Sequence, residues 1–422
     1  MKNNPIPVQE FLLSGGGRLF VAPTNAHDVV SIEGSVFGGP NMLASELDVI
    51  PGLASELLDA GTAKKSKDVL RDSLAQRGAT LAFSSHGDRT AFSGRCFPEE
   101  VPVLLSTIAE CIDGAIFPEK EVKNVKALVL GALSDSKSDT RTRAEIVFSE
   151  LLYNPGHVNY MRSIQAEEKS VTRVRRRDLQ NFRTRLGTGG LVLAIAGDID
   201  ANAVEGATKK AFSWLGQGTL TASAKKANDK APSASEELVP LNDKANVDVF
   251  LGASVPVTYT HELYHPMRVV AEMLGGGFAS HLMQTVRERD GLTYGVYSRL
   301  VGITDGADGY FKIWATFSPN KYKESVATLR KEVRTFFAKG MTETMLARKK
   351  EEIVGSYLVS LSTTQSLAST LHTIGAYGFD LSYLAEYPNI ISAVTLHDIR
   401  NAASMIPLSK LSLAASGTFQ KK

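Results

Sequence analysis

The stretch 275-GGGFASHLMQTVRERDGLTYGVYS-298 decides how this chain is read. Three consecutive glycines follow the helix-like run 266-PMRVVAEML-274, and no strand feeds into them. They therefore read as a tight helix-to-helix connection rather than a phosphate cradle. Beyond them Arg287 and Tyr294 stand seven apart, one at the end of a helical segment and the other at the start of the next strand. A guanidinium offers fixed donors to a carbonyl, and a phenol donates one hydrogen bond to developing negative charge.

Ten positions keep step with one pattern: Leu274, Gly275, Gly276, Gly277, Ser280, Leu282, Arg287, Gly291, Leu292 and Tyr294. The pattern resembles the pitrilysin/insulinase (inverzincin) family of zinc metallopeptidases, in which the run reads L-G-G-G-x-x-S-x-L-x-x-x-x-R-x-x-x-G-L-x-Y. A match this dense over about twenty residues carries far more weight than a lone glycine motif. The resemblance implies a clamshell half covering essentially the whole chain. It also implies that Arg287 and Tyr294 reach a zinc site to hold the substrate carbonyl and its oxyanion.

The family's catalytic helix carries H-x-x-E-H, two histidines binding zinc and a glutamate activating water, with a distal glutamate completing the ligands. The corresponding segment here is 52-GLASELLDAGT-62, which contains no histidine. Ser55, Leu58 and Asp59 fall at the histidine, glutamate and histidine positions, and the distal position falls at about Gly131 or Ala132. Serine is a poor zinc ligand, leucine takes no proton, and one aspartate does not hold the ion. The chain accordingly resembles the zinc-lacking subunit of two-subunit bacterial peptidases and of mitochondrial processing peptidase. No metal or cofactor is expected in this chain.

A different zinc pattern is present at 261-HELYH-265, which satisfies H-E-x-x-H and arises by accident in roughly one chain in a hundred. It needs His261 and His265 on one face of an uninterrupted helix, but Pro266 follows directly and disfavours the α region for His265. Pro266 reads as the first helical residue, which leaves His261, Glu262 and His265 in the approach loop.

Length and composition bound the rest. At 422 residues, with 43% hydrophobic and 22% charged residues, the chain suits a globular protein of two domains. A net charge of +2 gives no polyanion-binding character, and the cluster at residues 173–177 reads as the solvated start of a helix. Cys96 and Cys111 show no metal or disulfide spacing. With no apolar leader and no run of eighteen apolar residues, the expected location is the cytoplasm, or the periplasm if a leader has been removed.

The segment 218–243, rich in Ala, Ser, Lys and Pro, reads as a linker between an N-terminal half, 1–217, and a C-terminal half, 244–422. Laying Phe117–Thr140 on Met341–Thr364 without gaps gives six identities in twenty-four positions, where chance gives about one or two. They are Glu119/Glu343, Lys126/Lys350, Gly131/Gly355, Ser136/Ser360, Ser138/Ser362 and Thr140/Thr364. Helix-periodic runs at 65–78 and 100–112 flank a strand-turn-strand unit at 80–97. The expected fold is α+β, with two duplicated halves that each carry a mostly antiparallel sheet and helices on one face.

Three functions follow from these readings. The first is a non-zinc-binding subunit that lends Arg287 and Tyr294 to a homologous partner carrying zinc and H-x-x-E-H, the pair degrading or processing unfolded peptides. The second is an inert scaffold, against which the retained Arg287 and Tyr294 weigh. The third is an autonomous zinc peptidase working through His261, Glu262 and His265. A homodimer in isolation stays open, since the two halves of such a fold present complementary rims.

Overall fold

Alternating residues over 80–97 fold as the hairpin that the sequence predicts, turning at Gly87 with φ +56°. The computed structural model describes residues 6–43, 47–186, 189–216, 228, 230–304 and 307–419. The hairpin strands β4 (Thr80–His86) and β5 (Arg89–Cys96) belong with β1 (Gln9–Leu12), β2 (Arg18–Pro23), β3 (Val30–Phe37) and β6 (Val192–Gly197). Together they make a six-stranded sheet in the order β1-β2-β6-β3-β5-β4. A second sheet of five strands joins β7 (Glu236–Pro240), β8 (Val247–Val255), β9 (Val296–Val301), β10 (Gly309–Phe317) and β11 (Ser412–Gly417) in the order β7-β11-β8-β10-β9.

With β1 set aside, the two orders and orientations are the same. Each sheet has one parallel pair, β2 with β6 and β7 with β11, and antiparallel neighbours elsewhere. The duplication predicted from six identities is thus a duplication of topology. Its helices keep the same register: Glu119–Ser136 matches Glu343–Ser360, and Thr140–Leu152 matches Thr364–Ala376.

The shared residues do the same work in both copies. Lys126 Nζ donates to the carbonyls of Thr172 (2.9 Å) and Val174 (2.7 Å), at and just beyond the end of the helix Ile164–Arg173. Lys350 Nζ donates to Val394 O (2.8 Å), just past the helix Tyr383–Ala393. A cation at a helix C-terminus satisfies orphan carbonyls and opposes the helix dipole. Thr140 Oγ1 donates to Asp248 Oδ2 (2.5 Å) on β8, and Thr364 Oγ1 pairs with Ser31 Oγ (2.9 Å) on β3.

The compact units do not follow the boundaries predicted along the chain. One unit consists of Met1–Gly131, Glu167–Ala224 and Tyr357–Tyr387, and the other of Ala132–Ala166, Lys225–Ser356 and Pro388–Lys422. The strands sort by half, but one helix from each half is exchanged. On the first sheet, Phe20, Ala22, Val192, Ala194 and Ala196 pack against Leu367, Ala368, Leu371 and Ile374 of the Thr364 helix. On the second sheet, Phe250 and Ala414 pack against Ala144, Phe148 and Leu152 of the Thr140 helix.

The exchanged helices also qualify the prediction of helices on one face. The opposite face of the first sheet is covered too, as Leu104 against Gly94 and Phe182 and Leu186 against Gly38 show. Central strands β6, β8 and β11 are buried at every residue, which requires cover on both faces.

The predicted linker is partly structured. Residues 218–227 and 229 lie outside the described residues, whereas Glu236–Pro240 forms β7 and pairs with β11 at the sheet edge. An edge strand held by backbone hydrogen bonds needs no apolar alternation, so 236-EELVP-240 gave no periodic signal. No helix among the described residues is long and apolar enough to cross a membrane.

Candidate functional site

The helix Tyr264–Gly275 buries Met267, Val270, Met273 and Leu274 along one stripe and delivers the chain to the three glycines. Each glycine has its own reason. A Cβ on Gly275 would lie 2.2 Å from the Ser298 amide nitrogen of β9, and one on Gly276 would lie 1.8 Å from the Glu272 carboxylate. Gly277 takes φ +82°. The turn is then held from the helix Glu343–Ser360: Lys349 Nζ donates to Gly276 O (2.6 Å) and pairs with Glu352 (2.7 Å), and Arg348 donates to Ala279 O (3.2 Å). The glycines thus make a tight connection, as their sequence context predicts.

Arg287 sits on a π-helical turn, Met283–Arg289, anchored by buried Leu282 and Val286. Its neighbour Arg289 is fully engaged, paired with Asp290 (2.7 Å) and Glu332 (3.0 Å). These hydrogen bonds hold the Asp290 carboxyl below its ordinary range, Arg289 being the main cause. Among the described residues Arg287 has one carboxylate within ion-pair distance, that of the adjacent Glu288 at 3.6 Å, and its guanidinium lies 5.4 Å from the centre of the exposed Phe278 ring. Its donors are therefore available.

Tyr294 is 93% exposed because the residue before it is tied down. Thr293 Oγ1 accepts from Gly295 N (3.1 Å) and places its one proton between Thr316 O (2.6 Å) and Gly295 O (2.8 Å), so the turn is fixed and the phenol projects outward. Arg287 and Tyr294 line one open cleft of about 670 Å³, together with Glu288, Thr316 and Lys321. The structure thus brings the two predicted residues to the same cavity.

The zinc-motif positions are built differently. The α-helix Val49–Ser55 ends at Ser55, whose hydroxyl donates back to Gly52 O (2.8 Å), and residues 56–59 continue as hydrogen-bonded turns, with Leu57 N donating to Ala54 O (2.9 Å) and Ala60 N to Leu57 O (3.1 Å). Leu58 is packed in the core, Asp59 is half-buried, and Ala132 is exposed on its own helix. The side chains at these positions supply one carboxylate and no imidazole, which is too few ligands for a tetrahedral zinc site. Among the described residues no group of three or more His, Cys, Asp or Glu could hold a metal ion.

The sequence prediction for 261-HELYH-265 needs one correction. The helix begins at Tyr264, so His265 is helical and Pro266 lies in the first turn, where its missing N–H costs nothing. His261 stays outside the helix and accepts from Leu263 N (3.0 Å) through Nδ1. The pair therefore lacks the one-face geometry of a zinc helix. Burial, and after it the charge of Arg268, depresses the His265 imidazole to about 4.

Residues 173–353 match the peptidase M16 inactive domain. The non-peptidase homolog YmxG of Helicobacter pylori is 23% identical over 352 residues, covering 83% of this chain and 79% of that protein. An uncharacterized zinc protease of Streptomyces coelicolor is 24% identical over 382 residues, covering 87% of this chain and 80% of that one. The crystal structure of a peptidase M16 inactive domain from Pseudomonas fluorescens superposes with a TM-score of 0.87 at 20% identity, covering 98% of this chain and 99% of that chain.

Several residues at and around the cleft escaped sequence reasoning. Phe278 occupies a variable position of the signature, so no pattern marks it. Lys321 follows β10 and reaches the cleft only through the fold. Thr293 and Lys349 support Arg287 and Tyr294 through hydrogen bonds that no local spacing announces.

Proposed function

We propose that this chain is the non-zinc-binding subunit of a heterodimeric metallopeptidase acting on unfolded peptides. Its partner is a homologous subunit carrying zinc on H-x-x-E-H. The supporting observation is the contrast between two sites. Arg287 and Tyr294 share an open cleft with their donors unspent, whereas Ser55 and Leu58 are absorbed into the fold. In this reading Arg287 donates to the scissile carbonyl and Tyr294 donates to the oxyanion as it forms. Both act where charge develops, which is where a fixed donor is most effective. The residues of this chain do not fit a zinc ion, so water activation belongs to the partner.

The test is co-purification with the H-x-x-E-H subunit and cleavage of a quenched fluorescent peptide. Arg287→Ala is expected to lower the rate of the complex on the order of 100- to 1,000-fold, as for loss of one oxyanion donor. An unchanged rate would leave only a scaffolding role. Zinc analysis of the chain alone, after dialysis against a weak chelator, should give a value near zero. One zinc per chain would overturn the proposal.

A further inference from the structure

β9 is the edge strand of the second sheet, and the face it shares with the Thr140 helix carries Tyr297 and Arg299 opposite Trp314 and Lys312 of β10. Lys312 is neutralised by Glu145, but Arg299 is not. Across the ladder Arg299 is therefore the charge of the Lys312–Arg299 pair left for an incoming anion. Arg141, also exposed, stands over Trp314 with 4.4 Å to the ring centre and donates to the Tyr297 hydroxyl (2.5 Å). Arg299 lies 5.1 Å from the Tyr297 ring centre. Among the described residues neither guanidinium has a carboxylate within ion-pair distance. Stacking covers their flat faces and leaves edge donors toward solvent.

This platform adjoins the cleft. The Trp314 ring packs over Gly295, where a Cβ would come within 3.1 Å, and Gly295 follows Tyr294. Thr316, the next residue on the same face of β10, lines the cleft with Arg287 and Lys321. The carboxylate of Asp248 is already occupied by Thr140, Asn246 and Trp314. Among the described residues that line the cleft, Glu288 is the one carboxylate set against Arg287 and Lys321, and Arg141 and Arg299 continue the positive strip beyond it.

We propose that this strip selects peptides with an acidic segment, whose Asp or Glu carboxylates meet Arg141 and Arg299 while the neighbouring backbone enters the Arg287–Tyr294 cleft. The inference rests on the reading of that cleft as peptide-binding and names its substrate class.

Fluorescence anisotropy on the full chain tests it, with a labelled peptide of about twelve residues containing several Glu and its Gln counterpart. At low salt the Glu peptide should bind about tenfold more tightly, and the difference should vanish near 0.5 M salt. Arg141→Gln with Arg299→Gln should bring the Glu peptide down to the Gln peptide's affinity and leave the latter unchanged. Arg299→Gln alone, at an exposed edge, should give a partial loss and guards against misfolding of the double variant. Equal affinities for the two peptides, no effect of the variants, or equally tight binding of a single-stranded oligonucleotide would overturn the proposal. If Arg287→Ala leaves both affinities unchanged while Arg299→Gln lowers one, the strip stands and the cleft reading fails.

Discussion

His372, on the exchanged Thr364 helix, should make the first unit acid-sensitive. Its Nε2 lies 2.7 Å from Ser35 Oγ, which accepts from Arg89 Nε (2.5 Å). With Arg89 donating, the serine proton is directed at a neutral imidazole. Burial, and after it the Arg89 charge, lowers the His372 pKa from 6.5 to about 4. Between those values the unfolded chain takes a proton that the folded chain refuses, so stability present above pH 6.5 is lost as pH falls toward 4. At about 1.4 kcal/mol per factor of ten, the loss from pH 7.5 to 4.5 is about 2–3 kcal/mol.

One group on the same face opposes it. Burial raises Glu33 to about 7, despite its hydrogen bond from Gln365, so the folded carboxyl takes its proton before the unfolded one as pH falls. Glu33 is only half-buried, and solvent screening makes its contribution the smaller. Urea unfolding of wild type, His372→Gln and Glu33→Gln at pH 7.5, 6 and 4.5 separates the two. His372→Gln should flatten the acid loss by about 2 kcal/mol, and Glu33→Gln should steepen it. Parallel profiles for wild type and His372→Gln would refute the account.

Three further outcomes follow from the geometry. Lys126→Met and Lys350→Met should each cost about 1–2 kcal/mol in denaturant unfolding, and the double variant should be additive within about 0.5 kcal/mol, because each loses its own helix-end hydrogen bonds. Gly275→Ala should destabilise by about 3 kcal/mol or more because its Cβ meets backbone, whereas Gly291→Ala, with φ +61° and open space, should cost about 1–2 kcal/mol by the same measurement. Arg287→Ala and Tyr294→Phe should shift thermal stability by less than about 0.5 kcal/mol, since neither side chain is buried, so any activity they lose in a complex is a loss of chemistry.

What the sequence made legible was local. The register of Phe117–Thr140 on Met341–Thr364 was readable because Lys126 and Lys350 bind helix-end carbonyls in each copy, and Thr140 and Thr364 each meet the strand below their own helix. Arg287 and Tyr294 could be paired because one short segment carries both, and Thr293 needs only Thr316 to fix the turn between them. What stayed hidden was non-local. Nothing in 364-TQSLASTLHTIGA-376 says which sheet its apolar stripe will cover, because Phe20 and Phe250 offer the same kind of surface. The choice is made by the eighteen-residue helices before each exchanged helix, since the boundaries Gly131/Ala132 and Ser356/Tyr357 fall inside them.

That path bears on the lost zinc site. In the resembling peptidases the distal glutamate would sit near Gly131 or Ala132, at the point where this chain passes from one compact unit to the other. Gly131 and Gly355 both have open space where a side chain would stand. Glycine in a helix interior costs about 1 kcal/mol relative to alanine, and here the cost is incurred twice at matching positions. A residue kept for packing would touch something, and these do not. Ala132→Glu would be tolerated by the exposed helix yet is expected to bring no zinc, because Ser55, Leu58 and Asp59 offer one carboxylate and no histidine. The expected deficiency therefore lies in the identities of Ser55, Leu58 and Asp59, and one added carboxylate does not make it good.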